Sequence, residues 1–75
     1  MSMKQMRRKR KFSRTALGAM VGVTGRAIAS YETGDRVPAF LTAKRIADVF
    51  GITLDQFYAM FVMSYKGENG GQSDV

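Results

Sequence analysis

A chain of 75 residues with a formal charge of +6 and a pI near 10.2 makes one small domain, and its charge favours a polyanionic partner, nucleic acid first. Cysteine and histidine are both absent, which excludes a disulfide framework, a thiolate metal site and the commonest general base. The acidic residues form no paired-carboxylate pattern, so we expect no enzyme, no cofactor and no metal.

The positive charge is concentrated near the start of the chain, in a segment without acidic residues. Its members are Lys4, Arg7, Arg8, Lys9, Arg10, Lys11 and Arg14. No apolar signal region follows it, and the most apolar run, Phe57 to Met63, is far shorter than the ~20 residues that span a bilayer. We therefore expect a soluble cytoplasmic protein that associates with the nucleoid when it is bound to DNA, and no membrane partner.

The first predicted helix covers residues 1–11. Lys11 ends this helix at a position where glycine would be preferred if the backbone must be left-handed. Phe12 is then expected to point into the core, ahead of the second helix.

Two short helices follow, over 13–20 and 24–32, and a turn at Gly22 joins them. Ser13 and Thr24 are favourable N-cap residues, and Gly22 can adopt the positive φ of a sharp turn. Gly18 lies inside the second helix, where it costs about 1 kcal/mol relative to alanine, so we expect the backbone of the third helix to approach it closely. This pattern indicates a helix-turn-helix.

The fourth helix is predicted over 39–50, after Pro38, with an apolar stripe that includes Phe40 and a C-cap at Gly51. The fifth covers 53–65, where Thr53 and Gln56 form a capping-box pattern. Since no strand alternation occurs, we predict a compact all-α five-helix domain over 1–66 and a disordered polar tail over 67–75. The expected core comprises Leu17, Met20, Val21, Val23, Ile28, Tyr31, Ile46, Phe50, Leu54 and Phe57.

A helical wheel separates two faces of the third helix. Ala27, Ile28 and Tyr31 form the apolar side, and the opposite side consists of Gly25, Arg26, Ala29, Ser30 and Thr33. If that opposite face is offered to DNA, Arg26 is the side chain suited to guanine, while Ala29 suits a thymine methyl and Ser30 specifies little. The alternative is that Arg26 is an ordinary solvated arginine.

Arg14, at the start of the second helix, is a candidate phosphate contact because a cation and free helix amides lie together there. Arg36, in the loop after the third helix, is a second candidate. Lys44 and Arg45 are better explained as the solvated face of the fourth helix.

From about Met3 to Tyr58 the chain resembles the phage repressor/Cro helix-turn-helix family, also called the xenobiotic-response-element family, with a lambda-repressor-like fold. The segments that match in order and spacing are LGAMVGV at 17–23, AIASYETG at 27–34, Pro38, RIADVFGI at 45–52 and TLDQFY at 53–58. The resemblance implies a five-helix domain that binds operator DNA, usually as a homodimer.

The resemblance also implies roles for individual residues. Base-contacting positions are Gly25, Arg26, Ala29 and Ser30; phosphate-contacting positions are Arg14 and Thr24. Arg7 and Glu32 match an ion pair that is architectural in some members. The family often has glutamine in place of Arg14 and alanine in place of Gly18.

The fifth predicted helix has more apolar surface than one core-facing side requires. Tyr58, Val62, Met63 and Tyr65 lie away from the side that docks it, and we expect them to form a homodimer interface. The alternative is that they cover the small core. A dimer would place two recognition helices in successive major grooves of a palindrome, ~34 Å apart.

The sequence thus predicts a sequence-specific regulator of transcription, with repression favoured because occupancy of a promoter suffices for it. The competing interpretations are a protein-interaction module that keeps the fold without base readout, and a non-specific nucleic-acid binder.

Overall fold

The computed structural model describes residues 2–65, and side chains for residues 2–61. This part of the chain is all-helical and contains α1 (Met3–Lys9), α2 (Arg14–Val21), α3 (Gly25–Thr33), α4 (Phe40–Phe50) and α5 (Leu54–Tyr65). The predicted all-α five-helix fold is confirmed. The tail predicted over 67–75 lies outside the described residues. None of the described helices combines the length and apolarity needed to cross a membrane.

The boundaries of α2 and α3 follow from side-chain caps. The hydroxyl of Ser13 accepts a hydrogen bond from the Ala16 N–H at 2.9 Å, and the hydroxyl of Thr24 accepts one from the Ala27 N–H at 3.0 Å. Gly22 ends α2 with φ of 83°. Each predicted signal of the helix-turn-helix is therefore present.

α1 is shorter than predicted at both ends. Ser2 caps it, and the Ser2 N–H donates to the side-chain oxygen of Gln5 at 2.8 Å, which completes a capping box that the sequence interpretation overlooked. At the other end Lys11 adopts φ of 62°, the left-handed conformation that makes glycine the preferred residue there.

One apolar core joins the helices. Its buried members are Met3, Leu17, Val21, Ala27, Ile28, Tyr31, Ala43, Ile46, Ala47, Phe50, Phe57 and Phe61. Val23 and Leu54, also predicted as core residues, are half-buried against it.

Met20, predicted in the core, and Phe40, predicted in the apolar stripe of the fourth helix, are both exposed. Met20 is 50% exposed because the buried stripe of α2 runs through Leu17, Gly18 and Val21, and an advance of ~100° per residue places Met20 beside that stripe. Phe40 is 66% exposed. It is the first residue of α4, and helical side chains point toward the N-terminus, so its ring extends past the end of the helix.

Gly18 is the point of closest approach between α2 and the turn. A Cβ at Gly18 would lie 2.5 Å from the carbonyl oxygen of Val23 and 2.9 Å from the carbonyl carbon of Thr24. The predicted close approach is confirmed, but the approaching backbone belongs to the turn and the N-cap of α3 rather than to α3 itself.

Arg10 ties α1 to the end of α4. Its terminal nitrogens donate to the carbonyl oxygens of Val49 at 3.3 Å and Phe50 at 2.9 Å, and its guanidinium lies 5.9 Å from the centre of the Phe50 ring. A cation at this position satisfies carbonyls that have no partner within the helix.

Candidate DNA-binding surface

α3 has one buried and one outward side, as predicted. Ala27, Ile28 and Tyr31 are buried, and Arg26 and Thr33 are exposed. Ala29 and Ser30, which the helical wheel places on the outward side, are half-buried. Most side chains on the outward face are therefore short, and the long one is that of Arg26.

Arg26 is exposed, and among residues 2–61 it takes part in none of the ion pairs or side-chain hydrogen bonds. Its guanidinium keeps its full set of donors for an external acceptor. A planar fork with this freedom can bind guanine O6 and N7 with two parallel hydrogen bonds.

Gly25 has a packing reason as well as a predicted role at the bases. A Cβ at Gly25 would lie 2.9 Å from the hydroxyl oxygen of Thr15 and 3.1 Å from the Thr15 backbone nitrogen. The first turn of α3 therefore packs directly on the first turn of α2. Any side chain at this position would push the two helix starts apart.

The polar residues at the two ends of α3 already have intramolecular contacts. Thr24 is exposed, and its hydroxyl caps α3 as an acceptor, which leaves its O–H as a donor. At the other end the Ser30 carbonyl accepts from the Thr33 hydroxyl at 3.2 Å and from the Arg36 N–H at 3.3 Å. The Arg36 guanidinium lies 5.8 Å from the centre of the Tyr31 ring, so it stays close to the end of α3.

A carboxylate shared by two arginines lies behind this surface. The Glu32 side chain is 2% exposed, and its two oxygens accept from Nε of Arg7 at 2.5 Å and Nε of Arg14 at 3.1 Å. Arg7 also donates to the Phe12 carbonyl oxygen at 2.8 Å. The cluster joins the ends of α1 and α3 to the start of α2.

Besides Arg7, two further cations of the basic N-terminal segment make structural contacts that the sequence interpretation missed. Arg10 binds α4, and Arg14, expected at phosphate, also contacts Glu32. No local spacing signals either contact, since the partners are far apart in the chain. Lys44, by contrast, pairs with Asp48 at 2.9 Å on an exposed face of α4, which agrees with the solvated face predicted for this helix.

The predicted dimer face is only partly described. Tyr58 is half-buried against the core, and its ring lies edge-on to that of Phe57, with centres 5.7 Å apart. The side chains of Val62, Met63 and Tyr65 lie outside the described residues.

A family model described as "Helix-turn-helix" matches residues 3–57. The chain belongs to the Cro/C1-type helix-turn-helix family. A Bacillus subtilis (strain 168) protein named "Uncharacterized HTH-type transcriptional regulator YgzD" is 34% identical over 55 residues, which span 73% of this chain and 83% of that relative. No solved structure gives a significant match.

The family assignment identifies the helix pair as part of a DNA-binding domain. Cro/C1-type helix-turn-helix domains belong to DNA-binding regulators of transcription, a class that is typically not enzymatic. The outward side of α3 is the part of this domain to examine for DNA contacts.

Proposed function

We propose that this chain is a sequence-specific repressor that binds a palindromic operator as a homodimer, with α3 in the major groove. The observation that carries the proposal is the Arg26 guanidinium, which lies exposed on the outward side of a helix whose opposite side is buried and has no ion-pair or hydrogen-bond partner among residues 2–61. The base-contacting residues would be Gly25, Arg26, Ala29 and Ser30.

In this arrangement the phosphate contacts surround the reading helix. Arg14 and Thr24 lie at the N-terminal ends of α2 and α3, and Arg36 lies just beyond the C-terminal end of α3. Such contacts set the register of the helix on the duplex but carry no sequence information. With one long side chain on the reading face, specificity would also depend on DNA shape and on the doubling of contacts by a dimer.

The dimer would form through α5, with Tyr58, Val62, Met63 and Tyr65 at the interface. Repression needs only occupancy of a promoter by this dimer. A DNA-bound regulator of this kind would act in the cytoplasm, at the nucleoid. Sedimentation at micromolar concentration tests the preformed dimer, which a strictly monomeric free protein would contradict.

The function itself is tested by selecting bound sites from random DNA and measuring affinity for the selected duplex and a scrambled one over a range of salt. We expect a preference of roughly 10³-fold or more for the selected site and a steep loss of affinity with salt. Equal affinity for both duplexes would contradict sequence-specific regulation and favour a non-specific nucleic-acid binder.

One observation keeps a protein-interaction module as the second candidate. Val37, Phe40 and Leu41, around the start of α4, are 48%, 66% and 58% exposed, which is an apolar surface of the kind that protein partners cover. Absence of DNA binding even at low salt would favour this second function.

A further inference from the structure

Glu32 holds two arginines that differ in depth. Arg7 is the inner partner, with a side chain 9% exposed, and Arg14 is the outer one, 46% exposed. Both bind through Nε, but Arg7 additionally donates Nη2 to the second carboxylate oxygen at 3.4 Å and Nη1 to the Phe12 carbonyl. The hydrogen-bond donors of Arg7 are thus directed to acceptors within the protein.

Arg14 makes a single hydrogen bond to the carboxylate, from Nε at 3.1 Å. Because the guanidinium is planar, fixing Nε on one edge also fixes the direction of the two terminal nitrogens. Within the described residues these terminal nitrogens donate no hydrogen bond. They form a fork that matches two oxygens of a phosphate.

We propose that Glu32 is a positioning residue for DNA binding. It holds the Arg14 side chain so that the terminal nitrogens of Arg14 donate to a backbone phosphate. The proposal rests on the proposed DNA-binding function and adds to it a residue that never touches DNA. Because the long Arg14 side chain is already ordered in the free protein, less side-chain entropy is lost when DNA binds.

Arg7 makes this role compatible with a nearby polyanion. An isolated carboxylate would repel the phosphate and hold Arg14 back. Arg7 contacts both carboxylate oxygens and compensates the negative charge of Glu32, so the positive charge of Arg14 remains for the phosphate.

A double-mutant cycle on one operator duplex and one random duplex tests the proposal. We expect Glu32→Gln and Arg14→Gln each to weaken binding to both duplexes about tenfold, and the double variant to bind no more weakly than Arg14→Gln. A loss of affinity in Glu32→Gln is informative, because removing a negative charge should by itself strengthen DNA binding. Unchanged or stronger binding by folded Glu32→Gln, or an undiminished cost in the Arg14→Gln background, would overturn the proposal.

Glu32→Gln leaves Arg7 without its carboxylate and is liable to unfold, so a second variant avoids that site. Arg14→Lys keeps the charge and alters a half-exposed side chain, but lysine has no Nε–H and no planar fork. We expect it to bind more weakly than wild type, with a smaller loss than that of Arg14→Gln because the charge is kept. Arg45→Lys is the matched control, since Arg45 lies on the exposed face of α4, and it should lose much less. Wild-type affinity of Arg14→Lys would overturn the proposal.

DNA binding by the wild-type protein distinguishes a failure of this proposal from a failure of the function on which it rests. If it binds no DNA at low salt, the proposed function is contradicted, and the role of Glu32 with it. If it binds DNA while Arg14→Gln binds equally well, only the positioning role is overturned.

Discussion

The carbonyl oxygen of Val23 occupies the space that a side chain on Gly18 would need, 2.5 Å from an ideal Cβ. The same two residues share a hydrogen bond of 2.9 Å from the Val23 N–H to the Gly18 carbonyl. The angle at which α3 leaves α2 is therefore set by backbone contact.

We predict that Gly18→Ala destabilises the domain although alanine favours helices. The propensity gain is about 1 kcal/mol, while overpacking against backbone costs about 1–3 kcal/mol, and a rigid carbonyl cannot rotate away. Urea unfolding should show a net loss of up to about 2 kcal/mol. Ala19→Gly, at an exposed position of α2, measures the propensity effect alone. A more stable Gly18→Ala protein would show that the turn can shift freely.

The two arginines that share Glu32 should contribute unequally to stability. Arg7→Met leaves a buried carboxylate with one half-exposed partner, and breaking a buried pair costs about 3–5 kcal/mol, a large part of the total stability of a small domain. Arg14→Met removes a partly exposed contact, for which we expect about 1 kcal/mol or less. Thermal unfolding of both variants checks this order, and equal losses would contradict the difference in burial.

Arg10 is predicted to stabilise the fold rather than bind DNA. Arg10→Gln removes the hydrogen bonds to the end of α4 and should cost about 1–2 kcal/mol. Lys9→Gln removes the same charge from an exposed neighbour and should leave stability nearly unchanged. The DNA affinities of the two variants should fall equally. A selective loss of affinity in Arg10→Gln would place Arg10 at the DNA.

Lys11 offers a stabilising substitution. Its φ of 62° costs a residue with a side chain about 1–2 kcal/mol, partly offset by the greater flexibility of glycine in the unfolded chain. Lys11→Gly should raise stability by about 0.5–1 kcal/mol in urea unfolding. Lys9→Gly, inside α1, should lower it by a similar amount. A destabilised Lys11→Gly protein would contradict the strain at this position.

Local signals in the sequence predict much of this fold. Ser13, Gly22 and Thr24 act through neighbours within a few residues, so their roles as caps and turn can be derived without tertiary structure. Gly18 is informative for a similar reason, because an unfavourable residue inside a helix points to a steric requirement.

Contacts between distant segments could not be predicted in this way. Arg10 and Arg14 look alike in a basic segment, and only the contact of Arg10 with the end of α4 and the position of Glu32 separate them. Met20 and Phe40 show the related limit for apolar residues, since burial depends on the width of a stripe and on whether a position is at a helix end.

The proposed reading of DNA by α3 through Arg26 is tested most directly by the affinities of wild type, Arg26→Ala and Arg14→Ala for a panel of single-base variants of the selected operator. We predict that Arg26→Ala loses about 1–3 kcal/mol on the preferred operator and no longer discriminates at one base pair of each half-site. Arg14→Ala should weaken all duplexes alike and keep the preference profile. An unaltered preference profile for Arg26→Ala, or the same behaviour of both variants across the panel, would contradict the account.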